Sequence, residues 1–149
     1  SEAALPRAMK ALEQFGVPRK IVSFVLPLGY SFNLDGSTLY LTLASVFVAQ
    51  VAKIELTMTQ QITMLLTLML TSKGVAGVSR ASLVIIASTL ANYNLPLEGI
   101  TLILGVDVFM DMARSCTNVV GNCLATVVIA KWEGEWSGPP TGEITSEIG

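Results

Sequence analysis

Apolar stretches that are each too short to form a simple membrane-spanning helix dominate the chain. From residue 21 onward the uncharged stretches are 21–34, 36–52, 56–72 and 81–97, and a more mixed segment follows at 99–130. A simple transmembrane helix needs about 18 or more apolar residues without interruption, and none of these stretches reaches that length. The pattern therefore predicts an all-α membrane protein whose helices are broken or re-entrant.

An interruption at Asp35 divides what would otherwise be one long apolar helix. It lies within SFNLDGS, where Asn, Asp and Gly all disfavour a continuous helix. Residues 21–52 are therefore predicted to form a broken transmembrane helix that consists of two half-helices.

The stretches on either side of SKGVAGVSR are predicted to form a re-entrant helical hairpin over residues 56–97. Gly74 and Gly77 suit a tight reversal between two helices that are too short to cross and return separately. Inside a bilayer, irregular backbone is tolerated only where protein buries it or where it lines a wet cavity. Two such breaks in one chain therefore predict a binding site.

Residues 98–131 are predicted to form an amphipathic C-terminal transmembrane helix with a single polar face. The polar residues of this segment recur at steps of three and four, which places them within an arc of roughly 100° on a helix. They are Asp107, Asp111, Arg114, Ser115, Asn118 and Asn122.

Asp111 and Arg114 carry the candidate chemistry of this face. In a soluble protein the simpler interpretation is an ion pair that closes a buried seam, because residues three apart on a helix can touch. Within a membrane, an ionisable residue is costly and indicates a functional site. Arg binds a carboxylate through two parallel hydrogen bonds and Asp accepts from an ammonium group, so the pair predicts a receptor for an acidic amino acid.

Asn33 and Asp35 offer oxygen ligands at the predicted helix break, where unwound backbone also exposes carbonyl groups. Such groups coordinate small cations in secondary transporters. The sequence Asn-x-Asp-Gly is equally typical of a turn that has no ligand, so both interpretations stay open. For Lys73 and Arg80, which flank the hairpin reversal, the sequence favours side chains that reach out to a polar interface.

The composition narrows the range of partners. Charged residues make up 13% of the chain, against roughly 25% in typical globular chains, which indicates membrane lipid as the main solvent. A net charge of −2 without a cluster of Lys or Arg argues against nucleic acid. The absence of His excludes a His-based catalytic triad, so neither enzyme activity nor a cofactor is expected. The opening SEAALP, which lacks an initiator Met, predicts that residue 1 is a cut in a longer protein.

Five segments, in this order, resemble the dicarboxylate/amino acid:cation symporter family of glutamate and aspartate transporters: EAALP, FVLPLGYSFNLDGSTLY, TSKGVAGV, LPLEGI and VDVFMDMARSCTNVVGN. The resemblance implies a multi-pass protein of the cell inner membrane that is a homotrimer at full length and works by an elevator-type movement. Residues 1–20 would then be the end of a first re-entrant hairpin and its connecting turn. Residues 56–97 would be a second hairpin that acts as a gate, and residues 98–131 the substrate-binding helix. Residues 132–149, rich in Gly, Pro, Glu and Ser, are predicted to form a disordered cytoplasmic tail.

The resemblance also implies specific roles at a substrate site. Arg114 would bind the side-chain carboxylate of the substrate, and Asp111 would bind its amino group. Ser115 and Asn118 would hold the main-chain carboxylate and its polar surroundings. The backbone at Gly77, Val78 and Ser1 would close over the substrate.

Three cation sites, for a coupling Na⁺ or H⁺, follow from the same resemblance. The first would use Gly29, Asn33, Asn118 and Asn122. The second would use Ser31 with the backbone of Ser72, Lys73 and Val75, and the third would use Asn33 with Asp35.

Departures from the family pattern leave alternatives open. Sodium-coupled members often carry Asp at the position of Asn122, so a proton could replace sodium here. Ser79 and Arg80 replace the usual Pro-Gly of the hairpin. The opening residues also resemble C4-dicarboxylate symporters for succinate, fumarate and malate, but those lack Asp at the position of Asp111, which favours an amino acid. A soluble helical domain with a buried Asp/Arg pair is the alternative from a different class.

Overall fold

The computed structural model describes residues 2–33, 35–75 and 81–140 of the chain. These residues form helices and connecting turns without any β-strand, which confirms the all-α prediction for this part of the chain. The α-helices are α1 (Leu5–Gln14), α2 (Arg19–Phe32), α3 (Asp35–Val51), α4 (Met58–Thr71), α5 (Ala81–Asn92), α6 (Gly99–Leu104) and α7 (Asp107–Trp132). Short 3₁₀ turns occupy Glu2–Ala4 and Ser72–Val75.

The long apolar region that begins at Arg19 is interrupted at Asn33. The backbone there has φ −107° and ψ 82°, which is outside the helical region, and α3 begins two residues later at Asp35. By length and composition, Arg19–Val51 is the one stretch of the described chain that could cross a membrane, and it contains this break. The interruption lies where Asn, Asp and Gly predict it.

Helices α4 and α5 pack against each other and against α3. They contain 14 and 12 residues, which at 1.5 Å per residue gives lengths of about 21 and 18 Å. Both are shorter than a hydrocarbon core of about 30 Å. The re-entrant hairpin stays a prediction that these lengths support, since residues 76–80 lie outside the described part.

Helix α7 buries the C-terminal part of its polar face and exposes large apolar side chains. Its buried residues recur every fourth position along one side and are Asn118, Asn122, Thr126 and Ala130. Its exposed large apolar residues include Val108, Phe109, Val120 and Leu124. A helix of a soluble protein shows the reverse arrangement, with the apolar stripe directed to the core. Polar groups inside and apolar groups outside are typical of a helix whose surroundings are lipid or further apolar protein.

Two apolar clusters hold the helices in place. One joins α3 to α4, α5 and α6 and includes Leu41, Met64 and Leu90. The other joins α1, α2 and α7 and includes Val22 and Leu26. Because α7 packs along both α2 and α3, it connects the two clusters and lies directly across the helix break.

The segment after α7 packs against the N-terminal helices as far as Pro140. The Trp136 ring stacks on Phe15 with a centroid distance of 5.4 Å, and its Nε1 donates to the Phe15 carbonyl at 3.1 Å. Lys20 Nζ and Glu135 Oε1 form an ion pair at 2.5 Å. The expectation of disorder from residue 132 onward is therefore wrong for residues 133–140, because an aromatic ring and a charged partner anchor this segment despite its polar composition.

The absence of a side chain at Gly36 allows α3 and α7 to approach at the break. A Cβ atom at this position would lie 2.5 Å from the Arg114 carbonyl oxygen and 2.9 Å from Thr117 Cβ. Backbone cannot move aside as a flexible side chain can, so a larger residue must push the two helices apart.

We expect Gly36→Ala to lower the stability of the full-length protein in detergent by about 1–3 kcal/mol, because the added methyl group overpacks this contact. Thermal unfolding followed by intrinsic fluorescence measures the effect. Gly105→Ala is the matched control, since a Cβ there meets nothing closer than the Leu102 carbonyl at 3.6 Å. Equal melting temperatures for the two variants would contradict the proposed close contact.

Candidate functional site

Asn118 joins the polar face of α7 to the first turn of α3. Its Oδ1 accepts a hydrogen bond from the Gly36 N–H at 2.9 Å, and its Nδ2 donates to Ser37 Oγ at 3.2 Å. The first N–H groups of any helix lack partners within that helix, and the cost of leaving one unpaired rises with burial. Asn118 is 6% exposed. It therefore supplies from a neighbouring helix the acceptor that the start of α3 needs.

Arg114 lies one helical turn before Asn118 and contacts three different elements. Its Nη1 donates to Ser82 Oγ of α5 at 2.7 Å, and its Nη2 forms an ion pair with Asp111. The guanidinium carbon lies 5.6 Å from the centroid of the Tyr40 ring of α3, within the range of a cation–π contact. The Arg114 side chain is 18% exposed and that of Asp111 is 52% exposed. The Arg114 guanidinium thus faces α3 and α5, and Asp111 pairs with it from the same helix.

Tyr40 and Ser82 are the residues of this cluster that sequence reasoning missed. The Tyr40 hydroxyl donates to Asp107 Oδ1 at 2.6 Å, so Asp107 holds the ring that lies against Arg114. A buried Tyr hydroxyl needs a hydrogen-bond partner, and Tyr40 is the one Tyr of its apolar stretch, which is the signal the sequence offered. Ser82 gave no such signal, because only the packing of α5 against the site reveals its role.

A second cluster of oxygen atoms forms where α2 ends. With its nitrogen turned toward Asp35, the Asn33 carboxamide donates to both carboxylate oxygens at 2.9 and 2.8 Å. The Asn33 oxygen then lies 3.1 Å from Asn122 Oδ1 of α7. A Cβ atom at Gly29 would lie 2.5 Å from the same Asn122 oxygen, so Gly29 leaves the space that this amide occupies. The structure therefore brings together Gly29, Asn33, Asp35 and Asn122.

The donor set of this cluster fits a small hard cation. Carboxylate and carboxamide oxygens are the ligands that such ions prefer. Within the described residues there is no group of three or more His, Cys, Asp or Glu residues that could hold a metal ion. The cluster thus offers two carboxamides and one carboxylate, and a cation site there stays a prediction.

The 3₁₀ turn after α4 meets both half-helices at the break. Ser72 Oγ lies 3.2 Å from Thr38 Oγ1 of α3, and Lys73 Nζ donates to the carbonyl of Phe32 at the end of α2. Ser31 lies in the same last turn of α2 and is exposed. Ser31, Ser72, Lys73 and Val75, which were predicted for the second cation site, thus lie in these two adjoining segments, and a cation site there stays a prediction.

Of the remaining predicted residues, Ser115 lies on α7 next to Arg114 and is partly buried. Ser1, Gly77 and Val78, which were expected to close over a substrate, lie outside the described residues, as do Ser79 and Arg80. Their roles stay predictions.

A broken helix beside a pair of short helices, with charged and amide groups near the break, is also found in secondary transport proteins. A profile of the sodium:dicarboxylate symporter family matches residues 1–132, and the chain belongs to this family. The resemblance drawn from the sequence motifs is confirmed. It is a family of symporters and not a family of enzymes.

Characterised relatives carry two kinds of name. The chain is 52% identical over 137 residues to the proton/sodium-glutamate symport protein of Bacillus caldotenax, covering 92% of this chain and 32% of the relative. It is 55% identical over 133 residues to the proton/glutamate-aspartate symporter of Escherichia coli (strain K12), covering 89% and 30%. It is 49% identical over 149 residues to the C4-dicarboxylate transport protein of Pseudomonas syringae pv. syringae (strain B728a), covering 99% and 32%. The chain thus spans about a third of the length of the curated relatives it matches.

We expect Asn118→Ala to destabilise the full-length protein by about 1–3 kcal/mol, because the Gly36 N–H then stays buried without its acceptor. Thr117→Ala is the control, since its exposed hydroxyl donates only to the Ala113 carbonyl of its own helix. Melting temperature in detergent, without any substrate, is the measurement. A loss of stability no larger than that of the control would show that Asn118 does not support α3.

Proposed function

We propose that the full-length protein containing this chain is a secondary active symporter of acidic amino acids, L-glutamate or L-aspartate, driven by a sodium or proton gradient. One observation carries the proposal. Arg114 is fixed on the inward face of α7 by Ser82, Asp111 and Tyr40, immediately beside the helix break. An ion pair with Asp111 alone would not require the contacts with Ser82 and Tyr40. These contacts orient the guanidinium of Arg114, as a site that binds an anion requires.

The geometry of Arg114 suits a substrate carboxylate. A guanidinium presents its donors as a planar fork, and two parallel bonds to a carboxylate use two of them. The Tyr40 ring lies within cation–π distance of the guanidinium and Ser82 accepts from Nη1, so the side chain is oriented before a ligand arrives. Asp111, which is half exposed, keeps carboxylate oxygen surface that can accept from an ammonium group. Together they match a solute that carries a carboxylate and an ammonium group.

Coupling to a cation gradient is supported by the distance between the two clusters along α7. Arg114, Asn118 and Asn122 are spaced four residues apart, so each lies about 6 Å along the axis from the next. Asn118 accepts a hydrogen bond from the start of α3, and Asn122 contacts Asn33 in the oxygen cluster at the end of α2. An ion bound at the break would therefore stabilise the same α7 position that presents Arg114, which gives positive linkage between ion and substrate.

The proposal extends to the assembly and its location. The exposed apolar face of α7 and the short α4 and α5 support a multi-pass protein of the cell inner membrane, surrounded by lipid, in which α4 and α5 form a re-entrant gate. A homotrimer with elevator-type movement follows from the family resemblance. A soluble domain with a structural Asp/Arg pair is disfavoured, because exposing Phe109 and Leu124 to water is costly.

A C4-dicarboxylate symporter is the second candidate, favoured by the names of relatives such as the Pseudomonas syringae protein. A plain dicarboxylate has no ammonium group and gains nothing from Asp111. The Asp111 charge beside Arg114 attracts the ammonium group of an amino acid and repels a ligand that carries carboxylates alone. This charge supports the amino acid.

We expect Arg114→Ala to weaken glutamate and aspartate binding by at least about a hundredfold, since it removes the partner of a sequestered carboxylate. Binding of neutral amino acids should be retained or gained. Isothermal titration of the full-length protein in detergent measures both. Arg19→Ala is the control, because Arg19 is exposed and its ion pair with Glu13 is long at 3.8 Å. Unchanged glutamate affinity in Arg114→Ala would refute the assigned role.

Competition against labelled glutamate separates the two candidate substrates. We expect aspartate to compete at concentrations at least about tenfold lower than succinate, because only aspartate carries the ammonium group that Asp111 accepts. Asp111→Asn should reduce the difference between the two competing concentrations, because it weakens the binding of aspartate. Succinate competing as well as or better than aspartate would establish the C4-dicarboxylate alternative.

A further inference from the structure

Lys73 joins the turn after α4 to the end of α2. Its ammonium group donates to the carbonyl of Phe32, the last residue of that half-helix. The adjacent Ser72 contacts Thr38 of the other half-helix. The turn therefore contacts both half-helices at the break, and the positive charge of Lys73 lies at the end of α2.

The Phe32 carbonyl is open to a cation because of the break. In a continuous helix it would accept from the N–H of Gly36, four residues further on. The Gly36 N–H instead donates to Asn118 Oδ1. The carbonyl is left at the negative end of the α2 dipole without its helical donor, a position that favours positive charge.

We propose that the Lys73 ammonium is a tethered cation that takes the place of one coupling cation at this end of α2. The proposal rests on the proposed symport function. It gives a different interpretation of the second predicted cation site, for which the resemblance implies Ser31 and the backbone of Ser72, Lys73 and Val75. Lys73 belongs to that predicted set, and a free Na⁺ at the Phe32 carbonyl would meet its unit positive charge at close range. The donor set therefore does not fit a free ion at this second site.

The consequence is a smaller sodium requirement. A charge that belongs to the protein holds the turn against α2 at all times, so substrate binding needs no dissolved cation to close this contact. The cluster of Asn33, Asp35 and Asn122 is separate and keeps its own donor set for a coupling ion. The tethered charge thus removes one ion from the stoichiometry and leaves the other positions unaffected.

The test compares sodium linkage in the full-length protein and its Lys73→Met variant. Met keeps the length and the apolar stem of Lys and removes the charge. The affinity for aspartate or glutamate is measured in detergent over a series of sodium concentrations, with choline as the replacement ion. The slope of log affinity against log sodium concentration counts the sodium ions taken up with the substrate.

We expect this slope to rise by about one in Lys73→Met, because a free sodium ion then fills the vacated position. In choline, the affinity of this variant should fall at least about tenfold below that of the unsubstituted protein. Lys73→Arg, which keeps a fixed positive charge, should retain the original slope. Lys10→Met, which removes an exposed charge on α1, should also retain it.

An unchanged slope in Lys73→Met would overturn the proposal and would indicate a lysine that merely reaches a polar interface. A folded Lys73→Met protein that binds no substrate at any sodium concentration would overturn it as well, because the position would then not accept an ion. If Lys73→Met does not yield a monodisperse protein, Lys73→Gln takes its place with the same expected slope. Failure of the unsubstituted protein to bind any acidic amino acid would instead refute the symport function itself.

Discussion

The hydrogen bond between the Gly36 N–H and the Asn118 side chain is the interaction on which the site depends. A helix that breaks within an apolar region leaves donors at the start of one half and acceptors at the end of the other, and neither set has water as a substitute partner. Asn118 satisfies the start of α3 from a different helix. Arg114 lies one helical turn before Asn118 and contacts Tyr40. Asn122 lies one turn after Asn118 and contacts Asn33. Two clusters of opposite chemistry are therefore positioned by one amide.

The polar residues of α7 could be found from the sequence because their spacing alone defines a face. Asn33 and Asp35 could be identified as the break, since both disfavour helix interiors and both interrupt an apolar stretch. The spacing could not show which neighbours that face would meet. Tyr40 and Ser82 can be identified only from the packing of α3 and α5 against Arg114. In the sequence, they cannot be distinguished from ordinary packing residues.

The short tail after α7 shows a different kind of failure. Its composition of Gly, Pro, Glu and Ser is typical of disorder, and composition averages over the segment. Trp136 contributes one large ring that packs on Phe15, more than a hundred residues earlier in the chain. A single aromatic contact of this kind depends on where α1 and α7 end in space, and no property of the local sequence encodes that position.

The attachment of Trp136 to Phe15, together with the ion pair between Lys20 and Glu135, has a mechanical consequence. It ties the C-terminal end of α7 to the connection between α1 and α2, while Asp107 at the N-terminal end of α7 accepts a hydrogen bond from Tyr40 of α3. A helix clamped at both ends cannot slide along its neighbours by itself. Because α7 also packs along α2 and α3, we expect a displacement of α7 to carry these neighbouring helices with it.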